Sequence, residues 1–247
     1  MLVFCVAVSL VSCKDDKPTE ENTTATQATK ETTAVPVEIA DIPSGKDERV
    51  EMLNSALDYI DVYCLKYTKK VKCTVSDVSV GSLSKASNAV AAFKSIFGEK
   101  ETSTDYDYDS APESFNANAV SARFSADDIS SIDAKQDGSY IVVKAVLPNE
   151  MNPDEKSGQL FDISTDCLSV ENIKKNLSDF SSSAGSVNIN ASDITVTAYI
   201  NEHDSSLGKL VVSYTERFSL GSVKLVKLEG SSVTGTSKTV VTYDSIG

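Results

Sequence analysis

The 247-residue sequence predicts an α+β domain: a curved antiparallel sheet with two to three helices packed on one face. Three observations carry that expectation. Early in the folded part, apolar residues recur at spacings of three and four, the period of a helix face. From Ala117 onward the period is mostly two, that of a half-buried strand, with turn residues between the runs. The order helix, strand, helix and then many sequential strands segregates the helices to one side of an antiparallel sheet.

The first helix lies in "KDERVEMLNSALDYIDVYCLKY", where Val50, Leu53, Leu57, Ile60 and Cys64 form one apolar stripe. Ser44, with Asp47 three residues on, is its expected cap. "KKVKCTVSDVSV" reads as a strand with Val71, Cys73 and Val75 on one face. Parity then shifts to Val78 and Val80, which predicts a bulge or bend near residues 76 and 77. A second helix in "SKASNAVAAFKSIFGE" buries Ala86, Ala89, Val90, Phe93 and Phe97 and stops at Gly98. The polar stretch 99–115 reads as a long loop.

Val120, Ala122 and Phe124 alternate as a strand, and "IDAKQDGSYIVVKAVL" as a hairpin whose Asp137 and Gly138 suit a tight turn. Its second arm, apolar on both faces, belongs inside the sheet. "SVENIKKNLSDF" (169–180) is a short helix burying Ile173, Leu177 and Phe180. The last third reads as a meander with strands at 194–200, 210–214, 223–225 and 241–243, and turns at "NEHDSSLGK" and "LEGSS".

Ahead of this domain stands "MLVFCVAVSLVSC", then a charged "KDDK". Residues 2–12 are too short to span roughly 30 Å of hydrocarbon as a helix, yet match the apolar core of a signal peptide. Residues 14–46 are polar; in 19–33, 7 of 15 residues are Thr, too few apolar groups to repay ordering entropy. The expected organisation is a signal peptide (1–12), Cys13 with a disordered Thr-rich stalk (13–46), and a single domain (47–247) large enough to bury most of its apolar surface.

Leu10, Val11, Ser12 and Cys13 resemble the bacterial lipobox, although no Lys or Arg precedes the apolar run. The resemblance implies that Cys13 carries a diacylglyceryl group and partners the membrane, anchoring the protein on the extracellular face of the cell membrane. Each buried CH₂ adds about 0.8 kcal/mol of membrane affinity, and stable anchoring takes about two chains. In outline, the element order is also similar to the half-barrel carrier lipoproteins of bacterial envelopes, the LolA/LppX-like group, which hold lipids between sheet and helices. It is similar too to surface lipoproteins of Gram-positive gut bacteria with Thr-rich stalks. No motif carries either of these two likenesses.

The chemical inventory points to binding and away from an enzyme. The sequence contains no G-x-S-x-G, H-E-x-x-H, C-x-x-C, G-x-G-x-x-G or Walker-type motif, and no cofactor or metal is expected. The single His, His203, stands between Glu202 and Asp204 in a turn, without the burial that an oriented imidazole needs. Net charge is −13, and residues 101–166 hold 14 acids against 4 bases. No basic stripe is available to neutralise phosphates, so nucleic acid is not an expected partner.

Two candidate sites follow. Leu57, Ile60, Val90, Phe93 and Phe97 are the residues that would line a cavity between helices and sheet for a lipid-like small molecule. The same residues also suit a filled core. Asp105, Asp107 and Asp109 alternate like the first half of a calcium loop, but Ser110 and Asn116 stand where that loop needs Gly and Glu. With Tyr106 and Tyr108 they form either a weak, irregular calcium contact or a surface that docks an envelope protein. With Cys5 in the signal segment, Cys64, Cys73 and Cys167 remain, and both a Cys64–Cys73 bridge and three buried thiols fit. The expected function is a membrane-anchored lipoprotein with a non-catalytic domain for a hydrophobic or amphipathic ligand; the alternative is an interaction or structural module.

Overall fold

Val50, Leu53, Ala56 and Leu57 are buried along one face of helix α1 (Lys46–Asp58), and the chain continues through a π-helical turn, Tyr59–Tyr63, that buries Ile60. This helix opens a computed structural model that describes residues 42–81, 87–120, 122–153, 158–179, 182–225 and 228–247. The expectations on the signal segment, Cys13, nearly all of the stalk, Ala86 and Phe180 lie outside the described residues. The helix cap is one residue later than expected. Gly45 precedes the helix, and its N–H donates to the Glu48 carboxylate at 3.2 Å, so Glu48 does what the sequence assigns to Asp47.

Eight strands form one antiparallel sheet: β1 (Lys66–Val80), β2 (Lys100–Asp107), β3 (Ser131–Asp137), β4 (Tyr140–Val146), β5 (Glu150–Met151), β6 (Ser186–Asn201), β7 (Leu207–Leu225) and β8 (Leu228–Asp244). Their order is β2-β1-β8-β7-β6-β4-β3, with the short β5 beside β6. Among the described residues the helices are α1, α2 (Ser87–Ile96), α3 (Pro112–Asn118), α4 (Gln159–Ile163) and α5 (Val170–Asp179). The α+β class with a curved antiparallel sheet holds. The β3–β4 hairpin turns where expected, with Gly138 at φ +62° between the paired Asp137 and Tyr140.

Bulges bend the long strands. On β1 the register shifts between Ser76 and Ser79, with Asp77 at φ +53°, where the parity change predicts it. Matching shifts hold Asp193 of β6 at φ +55° and Ser222 of β7 at φ +51°. Around these bends one face of the sheet stays continuous. On β7, Leu210, Val212, Tyr214, Glu216, Phe218 and Leu220 all point inward and are buried. On the outer face, Lys70, Lys72, Thr74, Arg217 and Ser219 are exposed.

The inner face carries two apolar clusters. Helix α1 covers one end, packing with Tyr67, Val71, Val143, Val196, Leu210, Val212 and Val241. The other cluster joins Phe93, Ile96 and Phe97 of α2 and Ile173 and Leu177 of α5 to Cys73, Val75, Phe218, Leu220 and Val233.

Three expectations are corrected. The 99–115 stretch is not a loop: it forms strand β2 and the start of α3. The first six residues of β2 are exposed, so no apolar alternation marks it. Val120, Ala122 and Phe124 are buried but form no strand. The Asn54 amide takes a neighbouring strand's place, accepting from Phe124 N–H at 2.9 Å and donating to Phe124 C=O at 2.8 Å. The meander has three strands, not four. Residues 210–225 run on as β7 through the bulge at Ser222, and the "LEGSS" stretch is already β8.

Candidate functional site

Between the two apolar clusters the inner face turns polar. Glu216 on β7 is paired across the sheet with Ser237 on β8, and Cys73 on β1 with Thr239 on β8. Glu216, Ser237 and Thr239 are completely or almost completely buried. The Glu216 carboxyl takes a hydrogen bond from Leu168 N–H at 2.8 Å and one from the Ser237 hydroxyl at 3.1 Å. Burial pushes its pKa up to about 8 against the pull of those two donors. It fastens the segment between α4 and α5 onto the sheet.

That segment carries Asp166, which lies between two lysines. Lys69 Nζ is 2.8 Å from its Oδ2, and Lys100 Nζ is 2.8 Å from its Oδ1. Burial alone raises the pKa of Asp166, but the charges and hydrogen bonds of Lys69 and Lys100 outweigh it and hold the carboxyl below its usual range. Lys69, with 4% of its side chain exposed, also stands 5.7 Å from the centre of the Tyr243 ring. Lys100 keeps 41% of its side chain exposed. Its register opposite Cys73 places it on the inner face at the first residue of the edge strand.

A cleft of about 170 Å³ opens here. Cys73, Phe97, Gly98 and Leu168 line it from the apolar side, and Lys100, Thr165, Asp166, Asn172 and Asn176 from the polar side, with Cys167 beside them. Gly98, in the left-handed region at φ +78°, ends the turn after α2 and keeps this wall low. The Asn176 amide donates to Ile96 C=O at 2.9 Å and ties α5 to α2. Cys64, Cys73 and Cys167 are buried thiols, and the Cys64 thiol donates to Lys66 C=O at 2.9 Å, so no bridge joins Cys64 to Cys73. Burial raises the pKa of Cys73 and Cys167, and the nearby Glu216 adds to it, leaving thiols that make contacts and do not attack.

The residues expected to line a cavity are divided between the two clusters. Leu57 and Ile60 are fully buried under α1, Phe93 and Phe97 are fully buried at the α2 end, and Val90 is half-buried. Of the five, Phe97 alone borders the cleft just described. The acidic stretch falls on β2 and the turn after it. Asp105 accepts from the Thr68 hydroxyl at 2.7 Å. Asp107 pairs with Lys66 at 3.2 Å and accepts from the N–H groups of Asp109 and Ser110, and the Lys66 contact foremost lowers its pKa. Tyr106 stacks on Tyr67, and Tyr108 meets Phe115 edge-on, so both rings are half-buried against the core. Among the described residues, no group of three His, Cys, Asp or Glu is arranged to hold a metal ion.

His203 lies in an exposed turn, 3.5 Å from the Glu202 carboxylate, while Asp204 is engaged by Ser206. The buried charges behind the cleft went unrecognised in the sequence, although a signal exists for them. Glu216 stands at an inward position between Tyr214 and Phe218, and Lys69 at one between Tyr67 and Val71. A charge that keeps the apolar parity of its strand is a buried charge in waiting. No family model, curated protein or solved structure matches the chain.

Proposed function

We propose that the protein is a lipid-anchored lipoprotein of the bacterial cell surface whose single domain is a non-catalytic binding module for a small amphipathic molecule. The observation that carries the ligand half of this reading is the cleft at Lys100, Phe97 and Leu168. It is a concave site with one apolar wall and a few convergent polar groups, at the meeting point of two short helices and a sheet. Its volume suits a molecule much smaller than a membrane lipid, which moves the expected ligand from the apolar clusters to the space between them. The anchor half rests on the likeness of residues 10–13 to a lipobox.

Two measurements test it. Cells fed radiolabelled palmitate incorporate label into the wild-type chain and not into Cys13→Ala; equal labelling of both, or none in the wild type, removes the anchor. Native mass spectrometry of the purified full chain finds a small non-covalent mass that is lost on denaturation. If neither a retained molecule nor any binder from a library of small amphiphiles is found, the binding module is rejected.

The alternative of docking through the acidic segment has less surface to work with. Asp105 and Asp107 are already engaged by Thr68 and Lys66, which leaves Asp109 and the outer edges of Tyr106 and Tyr108 as its contact groups.

A further inference from the structure

Resting on the cleft as the binding site, we propose that its ligand is an anionic amphiphile, a monocarboxylate of about four to six carbons, with the carboxylate on Lys100 and the hydrocarbon along Leu168 and Cys73. The sign of the charge follows from counting partners. Lys69, Asp166 and Lys100 together carry one net positive charge. Each oxygen of Asp166 already faces a lysine at 2.8 Å, so a cation entering the cleft would meet two ammonium groups beside a single carboxylate that is only 13% exposed. Among the neighbouring acids, Glu216 is buried and holds Leu168 N–H and Ser237, Glu99 pairs with Lys94 at 3.1 Å, and Glu150 accepts from Leu160 N–H at 3.0 Å. A cationic ligand would therefore be repelled by the net positive charge of the three groups.

Lys100 is built as the receiving group. An ammonium has three donors and one is directed at Asp166 Oδ1, so two remain for a ligand. Asp166 fixes the position of that ammonium and Lys69 in turn fixes Asp166, which lowers the entropy lost when a carboxylate docks. The protein as a whole carries a net charge of −13, so this basic point is an exception to its surroundings.

Size and shape supply the rest. A space of about 170 Å³ lies below the roughly 300–1,000 Å³ of drug-sized pockets and suits a carboxylate with a short chain. Leu168 and Cys73 keep a little surface toward that chain beside Gly98, and the fully buried Phe97 backs them.

The test is a titration of the purified full chain, followed by nitrogen–proton NMR, with hexanoate, hexan-1-ol, hexylamine and inorganic phosphate as probes. Hexanoate is expected to shift the resonances of Gly98, Lys100 and Leu168 and to bind at least about ten-fold more tightly than the other three. Lys100→Gln should weaken hexanoate by at least about ten-fold, and Lys100→Arg should retain most of the binding. Lys100 is on an edge strand and partly exposed, so melting temperatures within a few degrees of wild type are expected for both. Hexylamine binding as well as hexanoate, or an unchanged affinity in Lys100→Gln, overturns the anionic assignment while leaving the cleft as a site. Phosphate binding as tightly as hexanoate overturns the amphiphile and leaves a simple anion site. Binding of none of the four probes overturns the cleft itself.

Discussion

The two ends of the sheet's inner face bury their surface in different ways. Under α1, one helix of three and a half turns meets a wall of aliphatic residues, and Tyr67, Tyr106, Phe115 and Tyr243 pack ring against ring. At the other end two ten-residue helices, α2 and α5, share the work, and the seam between them and the first cluster is polar. A long helix covers a sheet without gaps. Two short ones leave a junction, and here Glu216, Asp166 and Lys100 meet at it. The chemistry of this fold therefore gathers where its packing is divided, and substitutions at the two ends should separate stability from binding.

The largest expected effect concerns Glu216. A carboxyl whose pKa rises on folding from 4.5 to about 8 holds a proton that the unfolded chain has already released within that window. Stability should therefore fall as pH rises from about 4.5 to about 8, by up to about 5 kcal/mol, and level off above. Glu216→Gln should flatten this slope. Urea unfolding at pH 5, 6.5 and 8 measures it, and parallel profiles for the two proteins would show that Glu216 is charged in the folded state.

Leu57→Ala, at the α1 end, should cost about 3 kcal/mol in the same assay, because a fully buried side chain is replaced by a cavity. Hexanoate affinity should stay at its wild-type value, and a loss there would mean that the two ends are coupled. Gly235→Ala tests the cleft end. A Cβ at Gly235 would stand 2.3 Å from the Phe218 ring, which itself stacks on Phe97. The added methyl should cost about 2 kcal/mol by overpacking and also weaken the ligand through Phe97. The smallest effect belongs to the outer face. Lys70 and Asp244 form a partly exposed pair at 2.7 Å, and Lys70→Ala should change stability by less than about 1 kcal/mol, least of all at high salt.

How much of this was legible depended on whether burial left a periodic mark. Helix α1, helix α5, the β3–β4 hairpin and the β1 bulge each place apolar residues at a fixed period, and each was readable. Strand β2 was not, because it is exposed on both faces over most of its length and reads as Lys, Glu, Thr, Ser and Asp. Residues 120, 122 and 124 misled for the opposite reason. They alternate like a strand, but Asn54, on a helix some seventy residues earlier, supplies the hydrogen bonds, and a side-chain partner leaves no trace in the local pattern. At the site, Phe97 was visible as an apolar helix residue. Asp166 and Lys100 looked like the other surface charges, since what distinguishes them is the contact they make across 66 residues.

The edge strand β2 has a consequence for how copies of this molecule would meet. An open sheet invites a second sheet to add to its border through unpaired backbone groups. Here the border carries Lys100, Glu101, Asp105 and Asp107 within eight residues, several of them tied back to β1 by Lys66, Lys72 and Thr68. Two such borders brought together would each have to give up those ties. The strand that was hardest to recognise thus also fills the sheet's open border with charged side chains, the kind of edge that disfavours pairing with another strand.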